Sequence, residues 1–168
     1  NQRASWAEFA ANNPYSDSLG DQRTLSASSA YTRSANNLMN VGKAPITAPA
    51  DVREQIVFDS FRGTFTAPGT ATILFDNVNI TDIGTAKLLV KASHPFPASQ
   101  KYAGNKMRIV GAYDGSDITS PGEILDISTD YADNIGALVK DMRIAWEVYL
   151  VDSNGVSKFI AGGSDIIG

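Results

Sequence analysis

Residues 142–151 have the sequence MRIAWEVYLV, in which large apolar side chains alternate with other types. The apolar side chains share one face of an extended strand: Met142, Ile144, Trp146, Val148 and Leu150. The opposite face carries Arg143, Ala145, Glu147 and Tyr149. Alternation with a period of two is typical of a β-strand that buries one face. We therefore predict a strand here, with Trp146 in the core and not on a sugar-stacking surface.

The residues that follow this strand indicate a hairpin. Residues 152–155 have the sequence DSNG, and a second β-rich run occupies residues 156–161. An Asn-Gly pair between two such runs is a strong short-range signal for a tight turn between antiparallel strands. We expect these two strands to pair with each other.

Five more β-rich runs lie upstream, at residues 55–66, 70–80, 85–92, 106–113 and 123–128. Pro, Gly, Asn and Asp separate them, and no helical period supplies the crossover that parallel strands need. The pattern predicts an all-β fold, an antiparallel β-sandwich of about seven or eight strands. A jelly roll and an immunoglobulin-like sandwich both satisfy it. The long connections at 93–105 and 129–141 favour the jelly-roll-like form.

Residues 1–54 differ from the rest in composition. They are rich in Asn, Ser and Ala, and they carry five positive and five negative side chains, so the net charge of −4 falls on the remainder. We predict an N-terminal arm over residues 1–54 and a β-sandwich domain over residues 55–168.

Two helices are predicted in the arm. Residues 5–8, SWAE, match a capping box, which predicts a short helix near 5–12 that ends before Pro14. A weaker helix is predicted over 24–41 with Gly42 after it, and its apolar face would hold Ala27, Tyr31, Leu38 and Met39. An ordered but irregular arm fits this second stretch equally well, because it contains many Ser and Thr residues. An extended linker is expected at 43–50.

Large apolar side chains are spaced along the arm, which is unlike a solvated tail. The residues predicted to bind a partner are Trp6, Phe9, Tyr15, Tyr31 and Leu38. Because a large aromatic side chain is costly to leave in water, Trp6 should dock on the protein's own sandwich or on a neighbouring subunit. We expect the neighbour, so removing residues 1–43 should leave the melting temperature almost unchanged and weaken oligomers.

The sequence HPFP at residues 94–97 has two prolines around one aromatic residue. This stiff loop presents His94 and Phe96 to a partner, or it is a plain connection whose Phe96 closes the end of the core. The second interpretation is favoured, and the loop contact is kept as the alternative.

Composition excludes several classes of function. A net charge of −4 disfavours direct nucleic-acid binding, because phosphate backbones repel an acidic protein. The chain has no cysteine and a single histidine, His94, so cysteine-rich zinc sites and multi-histidine metal sites cannot form within it. No run of about 18 apolar residues occurs, so no membrane-spanning helix is expected.

Catalytic and cofactor signals are also missing from the sequence. There is no Gly-x-Ser-x-Gly motif, no phosphate-binding glycine loop and no dinucleotide fingerprint. Residues 114–117, DGSD, match part of a calcium loop but lack its later glutamate, although Asp126, Asp130 and Asp133 are close in sequence. We expect no enzyme activity, no cofactor, no bound metal and no small-molecule substrate.

The architecture, and no particular motif, resembles coat, decoration and spike proteins of viruses and bacteriophages. This resemblance implies a structural subunit, found in a virion or outside the cell, whose partners are copies of itself or other particle proteins. The alternative is a secreted carbohydrate-binding or other recognition module. That alternative needs surface aromatic residues, for which Tyr102, Tyr113, Tyr131 and Tyr149 are the candidates.

Overall fold

A computed structural model describes residues 1–16, 21–50, 57–79, 86–101, 106–114 and 123–168. The helices are α1 (Gln2–Asn12), α2 (Ala27–Asn40) and α3 (Ser128–Asn134). The strands are β1 (Tyr15–Ser16), β2 (Gln22–Arg23), β3 (Val57–Thr66), β4 (Thr70–Asn79), β5 (Lys87–Ser93), β6 (Met107–Asp114), β7 (Glu123–Asp126), β8 (Arg143–Val151) and β9 (Ser157–Ile166). None of the helices described is long and apolar enough to cross a bilayer.

The strands form three sheets in which every pair is antiparallel. Strands β1 and β2 form a small ribbon in the arm, β3-β4-β7 form a three-stranded sheet, and β6-β5-β8-β9 form a four-stranded sheet. The prediction of a chain dominated by antiparallel strands is therefore confirmed.

The two larger sheets contribute side chains to one hydrophobic cluster. From β3 and β4 come Phe65, Ala71, Ile73 and Phe75, and from the four-stranded sheet come Leu88, Val90, Ala92, Val110, Ile144, Trp146, Val148 and Leu150. The alternation in residues 142–151 thus corresponds to burial of every second side chain along most of β8. Trp146 lies in the core, with 4% of its surface exposed. Its indole Nε1 donates to the Asp165 carboxylate at 2.7 Å, which satisfies the one polar group of the ring.

The predicted hairpin is confirmed, because β8 pairs with β9. Asp152 organises the turn: its Oδ1 accepts the backbone N–H of Asn154 at 2.9 Å and that of Val156 at 2.8 Å. Strand β9 extends to Ile166, five residues beyond the predicted run. The signal was lost because Gly162 and Gly163 lie in that extension, and glycine is uncommon in strands.

Helix α3 lies in the stretch predicted as a long loop. It has only seven residues, and Tyr131 is its one buried side chain, so no helical period is visible in the sequence. The Tyr131 hydroxyl donates to the carbonyl of Ser93 at 3.0 Å, and the Asn134 amide donates to the carbonyl of Val110 at 2.8 Å. These two hydrogen bonds attach helix α3 to strands β5 and β6.

Helix α1 begins earlier than the capping box predicted. Its N-cap is Asn1, whose side chain accepts from the Arg3 N–H at 3.2 Å, and Ser5 lies within the helix. The prediction of Ser5 as the cap is wrong. Asn is as good a cap as Ser, and starting at Asn1 adds a further turn of backbone hydrogen bonds.

Helix α2 ends where Gly42 predicted, but its buried face overlaps the predicted one only in part, at Leu38 and in the packing of Ala27. The N–H of Gly42 donates to the carbonyl of Met39, and that of Lys43 donates to the carbonyl of Leu38 at 2.8 Å. The buried residues are Ala30, Ser34, Ala35 and Leu38. Tyr31 and Met39, which the sequence placed on the apolar face, are 38% and 55% exposed.

Candidate partner-binding surface of the arm

Trp6 is the centre of a hydrophobic cluster that belongs to the arm alone. Its members, called here the arm cluster, are Trp6, Phe9, Ala10, Leu25, Ala27, Ala30 and Ile46. The indole is 2% exposed, and its Nε1 donates to the carbonyl of Thr47 at 3.1 Å. The rings of Phe9 and Tyr31 contact it edge to face, with centroids 5.4 and 5.5 Å away.

Within the chain, Trp6 packs on the arm itself and not on the two larger sheets, as one of the docking modes expected from the sequence would have required. Side chains of α1 and α2 and the carbonyl of Thr47 surround it. Leu38 is likewise buried, at 1% exposure, on the side of α2 that meets the β8–β9 turn. Both side chains are therefore almost fully buried within the chain.

The arm is fastened to the β8–β9 turn by hydrogen bonds. Ser34 Oγ donates to the carbonyl of Asn154 at 2.5 Å, and the Asn37 amide donates to the carbonyl of Gly155 at 2.8 Å. The Asn154 side chain makes a two-point contact with Ala50, accepting its N–H at 2.7 Å and donating to its carbonyl at 3.0 Å. Three separate parts of the chain therefore meet at this turn.

Gly155 is required at this junction for two reasons. Its φ is +73°, a conformation that side chains with a Cβ rarely adopt. A Cβ at this position would also lie 2.5 Å from the Ser34 carbonyl oxygen. The close approach of α2 to the turn thus depends on glycine.

The arm also covers part of the four-stranded sheet. Val41, just after α2, forms a buried cluster with Leu89 and Val151, and Ala112 and Tyr149 pack against it. Because the arm packs on its own chain at two places, we now expect removal of residues 1–43 to lower the melting temperature. This reverses the expectation drawn from the sequence.

An open groove, called here the arm groove, lies between α1, α2 and the β8–β9 turn. Its volume is about 390 Å³, which is within the range of small-ligand and peptide pockets. The apolar lining includes Phe9, Pro14, Tyr15, Leu25 and Val156. The polar lining includes Asn12, Asn13, Arg33, Ser34, Asn37 and Ser157.

Arg33 gives the arm groove its electrostatic character. Its guanidinium carbon lies 5.7 Å from the centroid of the Tyr15 ring, so the cation is held over an aromatic face. None of the described lining residues carries a carboxylate. The described lining therefore combines apolar and uncharged polar side chains with a single positive charge.

The structure divides the five predicted arm residues among three environments. Phe9 and Tyr15 line the arm groove, and both are half-buried. Tyr31 lies elsewhere, beside a smaller cavity of about 290 Å³ between the first turns of α1 and α2. Trp6 and Leu38 are interior. Arg33 and Asn37 were not predicted from the sequence, because the prediction for the arm used only its large apolar residues.

The His94–Phe96 loop is also divided. Phe96 is 3% exposed and exchanges two backbone hydrogen bonds with Arg143, at 2.8 and 2.7 Å. Its side chain is therefore buried beside the start of β8. His94 is exposed, so the two side chains do not form one contact surface.

The acidic residues considered for calcium have other roles. Asp130 accepts the Tyr113 hydroxyl at 2.5 Å, and burial together with this carboxylate raises the pKa of Tyr113 well above its usual value. Asp126 accepts from Ser128, which lowers the pKa of Asp126. Asp117 lies outside the described residues, and within them no three His, Asp or Glu side chains are grouped to hold a metal.

Comparison with known proteins gives no relative from which a role can be carried over. No protein-family model matches the chain. A search of curated proteins also found no match.

Proposed function

We propose that this protein is a structural subunit of a macromolecular assembly, such as the coat, decoration or spike protein of a viral or bacteriophage particle. In this proposal the two larger sheets face each other as a jelly-roll-like β-sandwich. The single cluster that receives side chains from both sheets supports that arrangement. The partners would be copies of the chain or other particle proteins, in a virion or outside the cell.

The arm groove is the observation that carries the proposal. The arm is anchored to the β8–β9 turn through Ser34, Asn37 and Asn154, so contacts within the chain set the position of α2 at the groove. Its lining places the aromatic rings of Phe9 and Tyr15 beside the guanidinium of Arg33. Arginine and tyrosine are also the residues most often found at the centres of protein interfaces.

The chemistry of the lining supports binding and not catalysis. The described lining residues include no histidine, carboxylate, lysine or cysteine. The guanidinium of Arg33 offers a planar fork of N–H donors, which suits it to binding a partner. The groove can hold a partner by shape and charge, which is what a structural contact needs.

Light scattering coupled to size-exclusion chromatography tests the proposal on the full chain. We expect a defined multimer that weakens in Tyr15→Ala and in Arg33→Glu. Met39→Ala removes an exposed apolar side chain of the same helix outside the groove, and Lys101→Glu makes the same charge reversal elsewhere. Both controls should behave like the unaltered protein. A chain that stays monomeric at all concentrations would contradict self-assembly.

The alternative, a secreted carbohydrate-binding or recognition module, is favoured by one observation. Tyr102 lies outside the described residues, and Tyr113 and Tyr131 pack into or against the core. Of the three candidates that the structure describes, Tyr149 alone lies on the outer side of the four-stranded sheet, where Phe159 is its exposed neighbour.

A further inference from the structure

The outer side of the four-stranded sheet carries a second surface, separate from the arm groove. It is formed by Lys91 on β5, Glu147 and Tyr149 on β8, and Phe159 and Gly162 on β9, and is called here the outer patch. The register places Lys91 opposite Glu147, Glu147 opposite Gly162, and Tyr149 opposite Phe159. The core residues Trp146 and Val148 alternate with these positions, so the patch faces away from the core.

Phe159 lies along the sheet surface because Gly162 leaves room for it. A Cβ on Gly162 would be 3.2 Å from Cε2 of the Phe159 ring and 3.3 Å from Cγ of Glu147. One edge of the ring therefore lies close to the backbone at Gly162, and the side chain is still 55% exposed. An exposed aromatic ring held against a sheet can serve as a stacking platform.

Tyr149 forms a wall beside this platform. Its ring meets that of Phe159 at 74°, with centroids 5.6 Å apart. The hydroxyl donates to Glu147 Oε2 at 2.8 Å, and burial with this hydrogen bond raises the pKa of Tyr149 to about 12. The phenol thus remains a donor at neutral pH and fixes the carboxylate at the edge of the patch.

The charges of the outer patch cancel locally. Lys91 Nζ lies 4.5 Å from the centroid of the Tyr149 ring, on the strand next to Glu147. The patch therefore offers one cationic donor and one anionic acceptor around an aromatic surface. A ligand that is itself charged gains from one of these groups and is opposed by the other, so an uncharged ligand with both donors and acceptors is the complementary one.

We propose that the outer patch binds an uncharged glycan. A pyranose ring has a C–H face that packs on an aromatic ring and hydroxyl groups at its edge that both donate and accept. Stacked on Phe159, such a ring can donate to Glu147 and accept from Lys91. A second copy of the chain is a poorer occupant, because it would have to bury both charged groups for the area of one phenyl ring.

Two-dimensional amide NMR of the full chain tests the proposal with three neutral probes: cellohexaose, xylohexaose and maltohexaose. We expect at least one to give saturable shifts at residues of β8 and β9, with a dissociation constant of about 1 mM or below. Phe159→Ala should abolish the shifts. Ile166→Ala removes an exposed apolar side chain from the same strand, at 47% exposure, and should leave them unchanged.

A second variant separates stacking from polar recognition. Glu147→Gln keeps the size of the side chain and should weaken binding of the same probe about tenfold, the usual scale for one charge-assisted hydrogen bond. The proposal is overturned if none of the three probes gives saturable shifts, or if Phe159→Ala binds as well as the unaltered chain. If Phe159→Ala instead reduces self-association, the patch is a contact between copies. That result also overturns the glycan proposal and leaves the arm groove to be judged by its own variants.

Discussion

The hydrophobic core of the two larger sheets and the arm cluster each bury one tryptophan, but they differ in the number of buried residues around it. Trp146 and Trp6 are 4% and 2% exposed, and each indole N–H meets an oxygen, of Asp165 at 2.7 Å and of Thr47 at 3.1 Å. Among the described residues, Trp146 belongs to a cluster with 18 buried members, whereas the cluster of Trp6 has three, two of them alanines. The two tryptophans are almost equally buried, but the arm cluster depends on its tryptophan more than the sheet core does.

This difference indicates that the arm is a small cooperative unit of low intrinsic stability, which packs on the larger unit formed by the sheets. A cluster with a single large buried side chain lacks the mutual support that a sheet core provides. Its order comes in part from the contacts with Asn154 and Gly155. Four predictions test this contrast, and they are ordered by the size of the expected effect.

Trp146→Ala should have the largest effect. Truncating a large buried aromatic side chain typically costs about 3–5 kcal/mol, and this change also leaves the Asp165 carboxylate without its indole partner. We expect a large decrease in the free energy of unfolding, measured by chemical denaturation, with all probes changing together. An unaltered midpoint would show that the sheet core does not depend on this residue.

Trp6→Ala should act on the arm alone. The transfer free energy of one large apolar side chain is about 1.5–3 kcal/mol, and the cavity cost is smaller than at Trp146 because so small a cluster can collapse around the gap. Hydrogen exchange should become fast in α1 and α2 while amides of β8 remain protected. The contrast between the two regions fails if Trp6→Ala and Trp146→Ala lower the global stability equally.

Asn154→Ala should loosen the attachment of the arm without disturbing its cluster. The change removes two hydrogen bonds to Ala50, each contributing about 1 kcal/mol. Limited proteolysis near residues 43–50 should become faster, and Asn36→Ala, on the exposed side of α2, serves as the control. Equal cleavage rates in both variants would mean that other contacts hold the arm.

Tyr131→Phe should have the smallest effect at neutral pH, about 1 kcal/mol, from loss of the hydrogen bond to Ser93. Its alkaline behaviour is more informative. Burial raises the pKa of Tyr131 from 10.0 to about 12, so between those values the unfolded chain loses a proton that the folded chain keeps. This contribution to stability is complete below pH 10 and is lost as pH rises towards 12. The decline, followed by thermal melts across that range, should be shallower in Tyr131→Phe.

The sheets were predictable from sequence because their signal is local and repeated. Alternation over residues 142–151 and the turn after it fix β8, β9 and the burial of Trp146. Helix α3 was not predictable, since seven residues with one buried side chain contain no period. The end of β9 was hidden by its glycines, one of which proves to support Phe159.

The arm and its groove were harder to predict from the sequence, for a different reason. Tyr31 and Leu38 look alike as apolar residues of one helix, yet one is exposed and the other is buried. That distinction is set by the β8–β9 turn, which contacts α2 from more than 100 residues away. Arg33 belongs to the site only because Tyr15 and the turn lie beside it in space. No local pattern in a single sequence encodes such neighbours.

The hydrogen bonds between α2 and the β8–β9 turn have a consequence for when the arm can fold during synthesis on the ribosome. Ser34 and Asn154 are 120 residues apart, and Asn37 and Gly155 are 118 apart. At about 5–20 residues per second, roughly 6–24 s pass between synthesis of the first partner and synthesis of the second. Throughout that interval the turn does not yet exist, so the hydrogen bonds between α2 and the turn can form only after β8 has been synthesised.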